Sequence, residues 1–511
     1  MGTESTGGQA AIAVAVQAGI DVCFANAGTT EIHMVEALDR HPNVRAILGL
    51  FEGVCSGAAD GYARIAGKPA LTLLHLGPGY ANSAANQHNA RRGFSPIVNL
   101  IGDQASWHLE HDAALTSDID AIAGWAGWVG RSTSADDVAT LVAEAIAAAT
   151  SGVPGPASAV LAADHTWEPA TSALPNVEFG VPVAPESDAV AQAAAALREP
   201  GAALIAGGRH LSAVTKRAMV AIAAETGCRI WAGRHASADY GAGAELPELP
   251  YFPEPLIAAL DGTTTAVLAG VTEPVCFFGY PDTPSQALPA DASRHQLCGP
   301  EHDLDATMLA LQTVVGADDV PAPEREPVAR PSGELTSATL GQAIIACMPD
   351  NAILVQEAIT NRAALGPHIA NSVPFTQLNG TGGAIGGGLP MAIGAAVAAP
   401  DRRVVSFQAD GSGLYTIQSL WTMARERLNI TVVIINNRSY KIIEVEAQRA
   451  GLDPGEATRA LLDLDRPEVN FAELANGFGM ESARTTSADE LVDLIDAANA
   501  RPGPFLIDAV I

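Results

Sequence analysis

Short apolar segments alternate with helical stretches at both ends of this 511-residue chain, and turn residues separate the two kinds of segment. In the first part of the chain the apolar segments are Asp21–Asn26, Val44–Leu50, Ala70–Leu76 and Ile97–Ile101. In the last part they are Ile353–Gln356, Arg403–Gln408, Ile430–Ile435 and Phe505–Ile511. Strands that alternate with helices in this way form right-handed βαβ units on a parallel sheet that helices cover on both faces. The pattern therefore predicts an α/β fold with doubly wound parallel sheets.

Two proline-rich polar segments, 165–188 and 318–333, interrupt this alternation. Segments of that composition usually join domains, and the chain length predicts about three domains at roughly 150 residues each. We therefore predict domains at 1–165, 188–317 and 335–511. The middle domain alternates as well, with apolar segments at Ala202–Ala206, Ala266–Ala269 and Val275–Phe278.

The acidic composition excludes several classes of partner. The chain has 57 acidic and 28 basic residues, which gives a formal net charge of −29 at pH 7. A surface this acidic argues against nucleic acid or an anionic membrane as a partner. No apolar run reaches the roughly 18 residues of a membrane-spanning helix, and residues 1–15 lack the pattern of a signal peptide. Six scattered cysteines without a C-x-x-C pair favour a reducing, cytoplasmic location; they are Cys23, Cys55, Cys228, Cys276, Cys298 and Cys347.

Polar residues follow two consecutive apolar strands near the end of the chain. Asp410, Gly411 and Ser412 end the first strand, and Asn437 and Ser439 follow the second. Carboxyl ends of neighbouring parallel strands lie at one edge of a sheet, so a carboxylate, an amide oxygen and a backbone carbonyl would meet there. These hard oxygen ligands suit Mg²⁺ or Ca²⁺, and a helix N-terminus beside them suits a diphosphate. The alternative is a strand–turn–helix in which Asp-Gly-Ser is only a helix cap.

The Asp-Gly-Ser segment with the later Asn-Asn resembles the cofactor motif of thiamine-diphosphate enzymes such as pyruvate decarboxylase, acetolactate synthase and benzoylformate decarboxylase. The resemblance extends over all three domains and is closest to benzoylformate decarboxylase. It implies a pyrimidine-binding first domain, a central domain and a diphosphate-binding last domain that holds thiamine diphosphate through Mg²⁺. The central domain is structural or holds FAD in that family, and the lack of a dinucleotide motif here disfavours FAD. Ala409 stands where glycine is usual, which requires a negative φ at that position.

Further cofactor contacts follow from the same resemblance. The glycine-rich segment 380–390 resembles the loop that contacts the pyrimidine, with Ile385 as the apolar wedge under the cofactor and the Gly383 carbonyl as the acceptor for its amino group. Thr360 resembles the hydroxyl that supports the diphosphate. Gly411, Ser412 and Tyr440 are expected to contact the cofactor beside the metal ligands. A generic glycine-rich turn is the alternative for the 380–390 segment.

Glu52 is the expected activator of the cofactor. It begins a helix that continues into Asp60-Gly-Tyr-Ala-Arg64, which resembles the helix after the family's essential glutamate. His75, at the end of a strand, matches the active-site histidine of benzoylformate decarboxylase, and Thr29 matches a hydroxyl that contacts the substrate carboxylate. Without this context, Glu52 would be a partner of the helix dipole and His75 a core histidine.

The resemblance implies an enzyme that decarboxylates a 2-oxo acid through a C2 carbanion and an enamine to give an aldehyde or an acyloin. An acetolactate-synthase-like carboligase that joins two 2-oxo acids is the first alternative. A relative that binds the cofactor without turnover is the second. In the family, the glutamate reaches a cofactor held by another subunit, so we expect a homodimer at minimum and a homotetramer as the full assembly.

Overall fold

Three sheets with helices packed on their faces organise the chain. The computed structural model describes residues 5–233 and 236–511, so residues 1–4 of the predicted first domain lie outside the described residues. In each sheet the strand order reverses between two neighbouring parallel strands: between β1 (Val22–Asn26) and β3 (Ala70–Leu74), between β7 (Ala202–Ala206) and β11 (Thr265–Ala269), and between β13 (Ala352–Glu357) and β15 (Val404–Ala409). Such reversals leave crevices at the carboxyl ends of the strands, where ligands bind in folds of this kind.

The first sheet has six parallel strands in the order β2-β1-β3-β4-β6-β5. The strands are β1 Val22–Asn26, β2 Arg45–Leu48, β3 Ala70–Leu74, β4 Ile97–Asp103, β5 Trp128–Arg131 and β6 Pro156–Ala162. The helices are α1 Gly7–Gln17, α2 Ile32–Asp39, α3 Glu52–Ala66, α4 Leu76–Arg92, α5 Ile119–Gly124, α6 Val138–Thr150 and α7 Ala163–Trp167. The order reverses between β1 and β3, so the loops after these two strands face each other.

The central sheet has four parallel strands in the order β12-β11-β7-β9. These strands are β7 Ala202–Ala206, β9 Arg229–Ala232, β11 Thr265–Ala269 and β12 Ser293–Cys298. Its helices are α8 Ser187–Ala196, α9 Ala213–Thr226, α10 Pro253–Leu260 and α11 Leu304–Val315. Two further strands of this part of the chain, β8 His210–Leu211 and β10 Ser237–Tyr240, join the third sheet instead.

The third sheet has eight strands in the order β17-β18-β16-β15-β13-β14-β10-β8, and only the β10–β14 pair is antiparallel. Its own strands are β13 Ala352–Glu357, β14 Phe375–Asn379, β15 Val404–Ala409, β16 Ile430–Asn436, β17 Glu481–Thr485 and β18 Phe505–Val510. Its helices are α12 Ser337–Ala346, α13 Gly366–Ile369, α14 Gly388–Ala398, α15 Asp410–Gly413, α16 Ser419–Arg425, α17 Lys441–Arg449, α18 Glu456–Leu462, α19 Phe471–Gly477 and α20 Ala488–Asn499. Strands β8 and β10 lie within the predicted central domain in sequence but pair in this sheet. The sheets therefore do not follow the predicted domain boundaries strictly, and those boundaries stay a prediction.

The predicted α/β class with three largely parallel sheets is confirmed, and each predicted apolar segment of the first and last domains contains a strand. The predicted strand at Val275–Phe278 is wrong. That segment forms only an isolated bridge between Val275 and Gln286, and Phe277 and Phe278 are exposed. The Phe277 ring packs on the rings of Tyr251 and Phe278. The apolar character of the Val275–Phe278 segment therefore reflects aromatic packing in a loop.

Helices α3 and α14 join the first and third parts of the chain through glycines. A Cβ on Gly61 would lie 2.1 Å from the carbonyl oxygen of Met391, and a Cβ on Gly394 would lie 1.8 Å from that of Ala58. A Cβ on Gly57 would lie 2.6 Å from the Cβ of Pro390. The two backbones can approach this closely only because glycine has no side chain.

A buried ion pair fixes the end of α3 against the third sheet. Arg64 binds Asp60 through two hydrogen bonds of 2.7 and 2.9 Å, and both side chains are almost fully buried. The same guanidinium donates to the carbonyl of Asn379 and to the hydroxyl of Thr381. A buried charge pair is tolerated when its remaining donors are satisfied in this way. Two residues of the Asp-Gly-Tyr-Ala-Arg motif thus hold the glycine-rich loop that follows β14.

All six cysteines are buried and free. Among the residues that the structure describes, no helix combines the length and the apolar character needed to cross a membrane.

We expect the substitution Gly394→Ala to lower the free energy of unfolding by at least about 2 kcal/mol, because overpacking of a close contact forces the backbones apart. Chemical denaturation measures this change. Gly477→Ala is the matched control: Gly477 is also helical, it is exposed, and a Cβ there meets no atom within 4 Å. Equal stability of the two variants would contradict the importance of the α3–α14 contact.

Candidate functional site

Glu52 and His75 both lie beside Gly79. Glu52 is buried in the first turn of α3, and the amide of Asn82 donates to its Oε2 at 3.0 Å. A Cβ on Gly79 would lie 3.1 Å from Glu52 Oε1 and 3.4 Å from His75 Cβ. The segments after β2 and β3 therefore bring the Glu52 carboxylate and the Cβ of His75 to the same glycine.

His75 is held by a residue that sequence analysis missed. Its Nδ1 lies 2.8 Å from Oε2 of Glu31, whose side chain is fully buried. The Gly28 N–H also donates to Glu31 Oε2, and the Thr30 hydroxyl donates to Oε1. Thr29, the predicted substrate contact, is exposed at the start of a 3-10 helix over Thr29–Glu31. The acid after Thr29-Thr30 was visible in the sequence, but no local signal connects it to a histidine on another strand.

Gly28 allows the histidine ring to lie against the backbone of the loop after β1. A Cβ on Gly28 would come within 2.2 Å of His75 Nδ1. The ring is half-buried, and its residue precedes Leu76, which has a φ of +50°. Strained backbone of this kind is commonly retained where it orients a functional side chain.

The predicted metal ligands lie together at the ends of β15 and β16. Asp410 is buried, and its carboxylate accepts hydrogen bonds from the Gly411 N–H at 2.7 Å and from the Arg438 N–H at 2.6 Å. Asn437 Oδ1 accepts from the Ser439 N–H at 3.0 Å. The ends of these two neighbouring strands thus carry the Asp410 carboxylate and the Asn437 amide, with Ser439 two residues after Asn437. Oxygen ligands of this type suit a hard divalent cation.

Electrostatics favour a cation at this point. Burial raises the pKa of Asp410, and the backbone N–H donors oppose that rise. Among the described residues, no lysine or arginine side chain forms an ion pair with Asp410. A buried carboxylate without a cationic partner is costly, so a bound dication would stabilise its charged form. Ala409 has a φ of −73°, which confirms that a side chain is tolerated where glycine is usual.

The other residues predicted to contact the diphosphate lie in the segments that follow β13, β15 and β16. The Ser412 hydroxyl accepts from Gln408 Nε2 at 2.6 Å, inside the turn that Asp410 begins. A Cβ on Gly411 would meet the Tyr440 ring at 2.5 Å, so this ring packs on bare backbone. Thr360 lies half-buried in the 3-10 helix Ile359–Leu365, directly after β13.

The glycine-rich segment forms a loop whose conformation requires glycine. Gly383 has a φ of +84° and Gly386 a φ of +93°, values that side chains rarely adopt. Ile385 lies half-buried between them. A Cβ on Gly383 would meet the Phe277 ring at 2.7 Å, so an aromatic side chain of the central domain lies against this loop.

Glu357 is the second residue that sequence analysis missed. Its buried carboxylate accepts the N–H groups of Gly386, Gly387 and Gly388 at 3.1–3.2 Å, at the N-terminus of α14. Gln408 Nε2 also donates to it at 2.8 Å. Burial raises the pKa of Glu357, and these donors oppose the rise. The Glu357 carboxylate therefore fixes the glycine-rich loop relative to β15, the strand that carries Gln408 and ends before Asp410.

Helix α4 connects the two halves of the candidate site. Asn89 donates to the Ala384 carbonyl at 2.8 Å and accepts from the Ala384 N–H at 3.2 Å. His88 Nε2 lies 3.0 Å from the Gly382 carbonyl oxygen. The helix that begins directly after His75 therefore also holds the glycine loop of the third domain.

A cavity of about 400 Å³ lies at the carboxyl ends of the central strands β7 and β11. Its walls include Arg64 and Gly93 from the first domain, and Gly207, Arg209 and Gly270 from the central one. The strand order of the central sheet reverses between β7 and β11, where nucleotides bind in sheets of this type. This is the place where an FAD, which the sequence disfavours, would have to be held.

Comparison with known proteins identifies the relatives of this chain. The model of the N-terminal TPP binding domain of thiamine pyrophosphate enzymes matches residues 5–123, and that of the C-terminal TPP binding domain matches residues 364–509. "Putative acetolactate synthase large subunit IlvX" of Mycobacterium tuberculosis is 44% identical over 99% of both chains. Benzoylformate decarboxylase of Pseudomonas aeruginosa is 28% identical over 96% of both chains.

Solved structures share the fold. The thiamine diphosphate-dependent 4-hydroxybenzoylformate decarboxylase of Rhodococcus jostii RHA1 superposes with a TM-score of 0.82 at 23% identity, over 99% of both chains. The benzoylformate decarboxylase of Polynucleobacter necessarius gives a TM-score of 0.78 at 20% identity, over 99% of this chain and 98% of that one. With two matching family models and a relative of 44% identity along nearly its whole length, the chain belongs to the thiamine pyrophosphate enzyme family.

Proposed function

We propose that this protein is a thiamine-diphosphate- and Mg²⁺-dependent enzyme that decarboxylates a 2-oxo acid to an aldehyde or an acyloin. The observation that carries the proposal is the placement of Glu52 and His75 beside the same residue, Gly79. A buried carboxylate and a half-buried imidazole at this position can respectively activate a cofactor and bind or protonate a substrate.

The residues of the third sheet fit the cofactor. Asp410, Asn437 and Ser439 would hold Mg²⁺, supported by the oxygen donor set and by the buried Asp410 carboxylate, which has no cationic partner among the described residues. Gly411, Ser412, Tyr440 and Thr360 would surround the diphosphate, and Gly383 and Ile385 would contact the pyrimidine. When bound, thiamine diphosphate supplies the electron sink for loss of CO₂.

The residues of the first sheet would handle protons and substrate. Glu52 would hydrogen-bond to the pyrimidine ring and share its proton. His75 would hold the substrate carboxylate or donate a proton to the carbonyl oxygen, and Thr29 would contact the carboxylate. A homodimer is the minimum assembly under this proposal, with a homotetramer expected, and light scattering measures both. Cytoplasmic location stays a prediction.

Carboligation of two 2-oxo acids is the second candidate reaction. The 44% identity with a protein named as an acetolactate synthase large subunit favours it. The absorption spectrum of the purified protein shows whether FAD is bound, because FAD has a visible band. Bound FAD would favour the acetolactate-synthase-like reaction. A relative that binds the cofactor without turnover would show no product in any assay but would still bind the cofactor.

The test is incubation of the Mg²⁺- and cofactor-loaded protein with a panel of 2-oxo acids, followed by mass spectrometry. We expect CO₂ and an aldehyde from at least one 2-oxo acid, or an acyloin when an aldehyde acceptor is added. A product containing both carbon skeletons of two 2-oxo acids would support carboligation. No product from any member of the panel would refute both proposals.

Glu52→Gln should lower kcat by about 100-fold or more, because general acid–base groups contribute that much. Cofactor affinity, measured by calorimetry, should stay within about an order of magnitude of the wild-type value, since the contact contributes mainly to the proton transfer. Glu324→Gln, at an exposed residue of the proline-rich segment, is the control. Undiminished turnover of Glu52→Gln would remove this residue from the mechanism.

Asp410→Ala should weaken Mg²⁺-dependent cofactor binding by at least about 100-fold, because even changes behind the metal ligands cost about 10- to 100-fold. Calorimetry with and without Mg²⁺ measures the loss. Asp401→Ala removes an exposed carboxylate from the turn before the same strand and should leave binding unchanged. If Asp410→Ala bound the cofactor with wild-type affinity in the presence of Mg²⁺, the proposed diphosphate site would be wrong.

A further inference from the structure

The contacts of Glu31 determine how the ring of His75 is oriented. Oε2 of Glu31 lies 2.8 Å from Nδ1 of His75. The carboxylate also accepts from the Gly28 N–H at 2.8 Å and from the Thr30 hydroxyl at 2.6 Å. Every neighbour in hydrogen-bond contact is thus a donor or a ring nitrogen, which suits an ionised carboxylate that only accepts.

Among the described residues, the basic side chain in contact with this carboxylate is His75, which is charged only when its ring is doubly protonated. Glu31 is fully buried, and a Cβ on Gly102 of β4 would collide with its Oε1. Within residues 5–233 and 236–511, its ion-pair contact is with His75, and no lysine or arginine reaches it. A buried carboxylate needs donors, so the arrangement favours a proton on Nδ1.

The other ring nitrogen remains available for chemistry. Within the part of the chain that the structure describes, Nδ1 carries the ring's hydrogen bonds, to Glu31 and Thr30, and Nε2 has none. The ring is half-buried, with Gly28 packed on its Nδ1 side. A hydrogen bond to one ring nitrogen decides which form the other one takes.

We propose that Glu31 is a positioning residue, which accepts the Nδ1 proton of His75 and thereby presents Nε2 to the substrate. This inference rests on the proposed function and deepens it. When the doubly protonated ring donates its Nε2 proton to the substrate oxygen, the neutral ring keeps the Nδ1 proton and the Glu31 carboxylate stays ionised. Solvent then returns one proton to Nε2.

The first measurement needs neither cofactor nor turnover. Long-range ¹H–¹⁵N correlation spectra of protein with ¹⁵N-labelled histidine distinguish the two neutral forms of an imidazole. The spectrum of His75→Ala assigns the His75 signals by their loss. At about pH 8, where a neutral ring is expected for most histidines, we expect a protonated Nδ1 in the wild type. An unprotonated Nδ1 in a neutral His75 ring would overturn the proposal.

The second measurement is a double-mutant cycle on kcat. Glu31→Gln keeps the size of the side chain and should lower kcat by about 10- to 100-fold, as loss of an orienting partner does. In a His75→Ala background the same change should alter kcat by less than about 3-fold, since residues that act through one another are not additive. An equal fold loss in both backgrounds would show a merely structural role and overturn the proposal.

Matched controls separate this inference from the proposed function. Glu110→Gln neutralises an exposed carboxylate of the same domain and should leave kcat unchanged. Proton exchange at C2 of the bound cofactor, which depends on Glu52, should proceed at the wild-type rate in Glu31→Gln. If the wild type turns over no 2-oxo acid, the proposed function fails, and the protonation of Nδ1 alone decides the role of Glu31.

Discussion

The close approach of helices α3 and α14 is the constraint on which the candidate site depends. Gly61 and Gly394 let the two backbones touch, and the Asp60–Arg64 pair continues the contact to the loop after β14. Glu52 is the first residue of α3, and the glycine-rich loop leads directly into α14. The packing of two helices thus determines how Glu52 and the glycine-rich loop are arranged within one chain.

Buried carboxylates held mainly by N–H and hydroxyl donors are a recurring device of this protein. Glu31, Glu357 and Asp410 each lie at or after the carboxyl end of a strand and each accept backbone N–H bonds. Burial raises the pKa of Glu357 and Asp410, which the local donors counteract. A chain with 57 acidic and 28 basic residues has few cations to spare, so backbone donors compensate charge at these sites.

Local patterns were sufficient for much of this architecture. The apolar segments around β1, β3, β15 and β16 predicted buried parallel strands, since such strands are apolar on both faces. The turn residues after them predicted where Asp410 and His75 would lie. Val275–Phe278 misled the same reasoning, because an apolar run in a loop that packs its aromatic rings together resembles a buried strand.

The amino-acid order alone was enough to assign the α/β class, the polar residues at strand ends and the glycines that allow tight turns, because hydrophobic periodicity and turn chemistry are local properties. Contacts between residues far apart in the sequence could not be predicted in this way. That Glu31 meets His75, that Glu357 caps α14, and that β8 and β10 pair into the third sheet all depend on how distant segments fold onto one another. Such contacts have no signature in the neighbouring residues, so they emerge only when the sheets and helices are packed together.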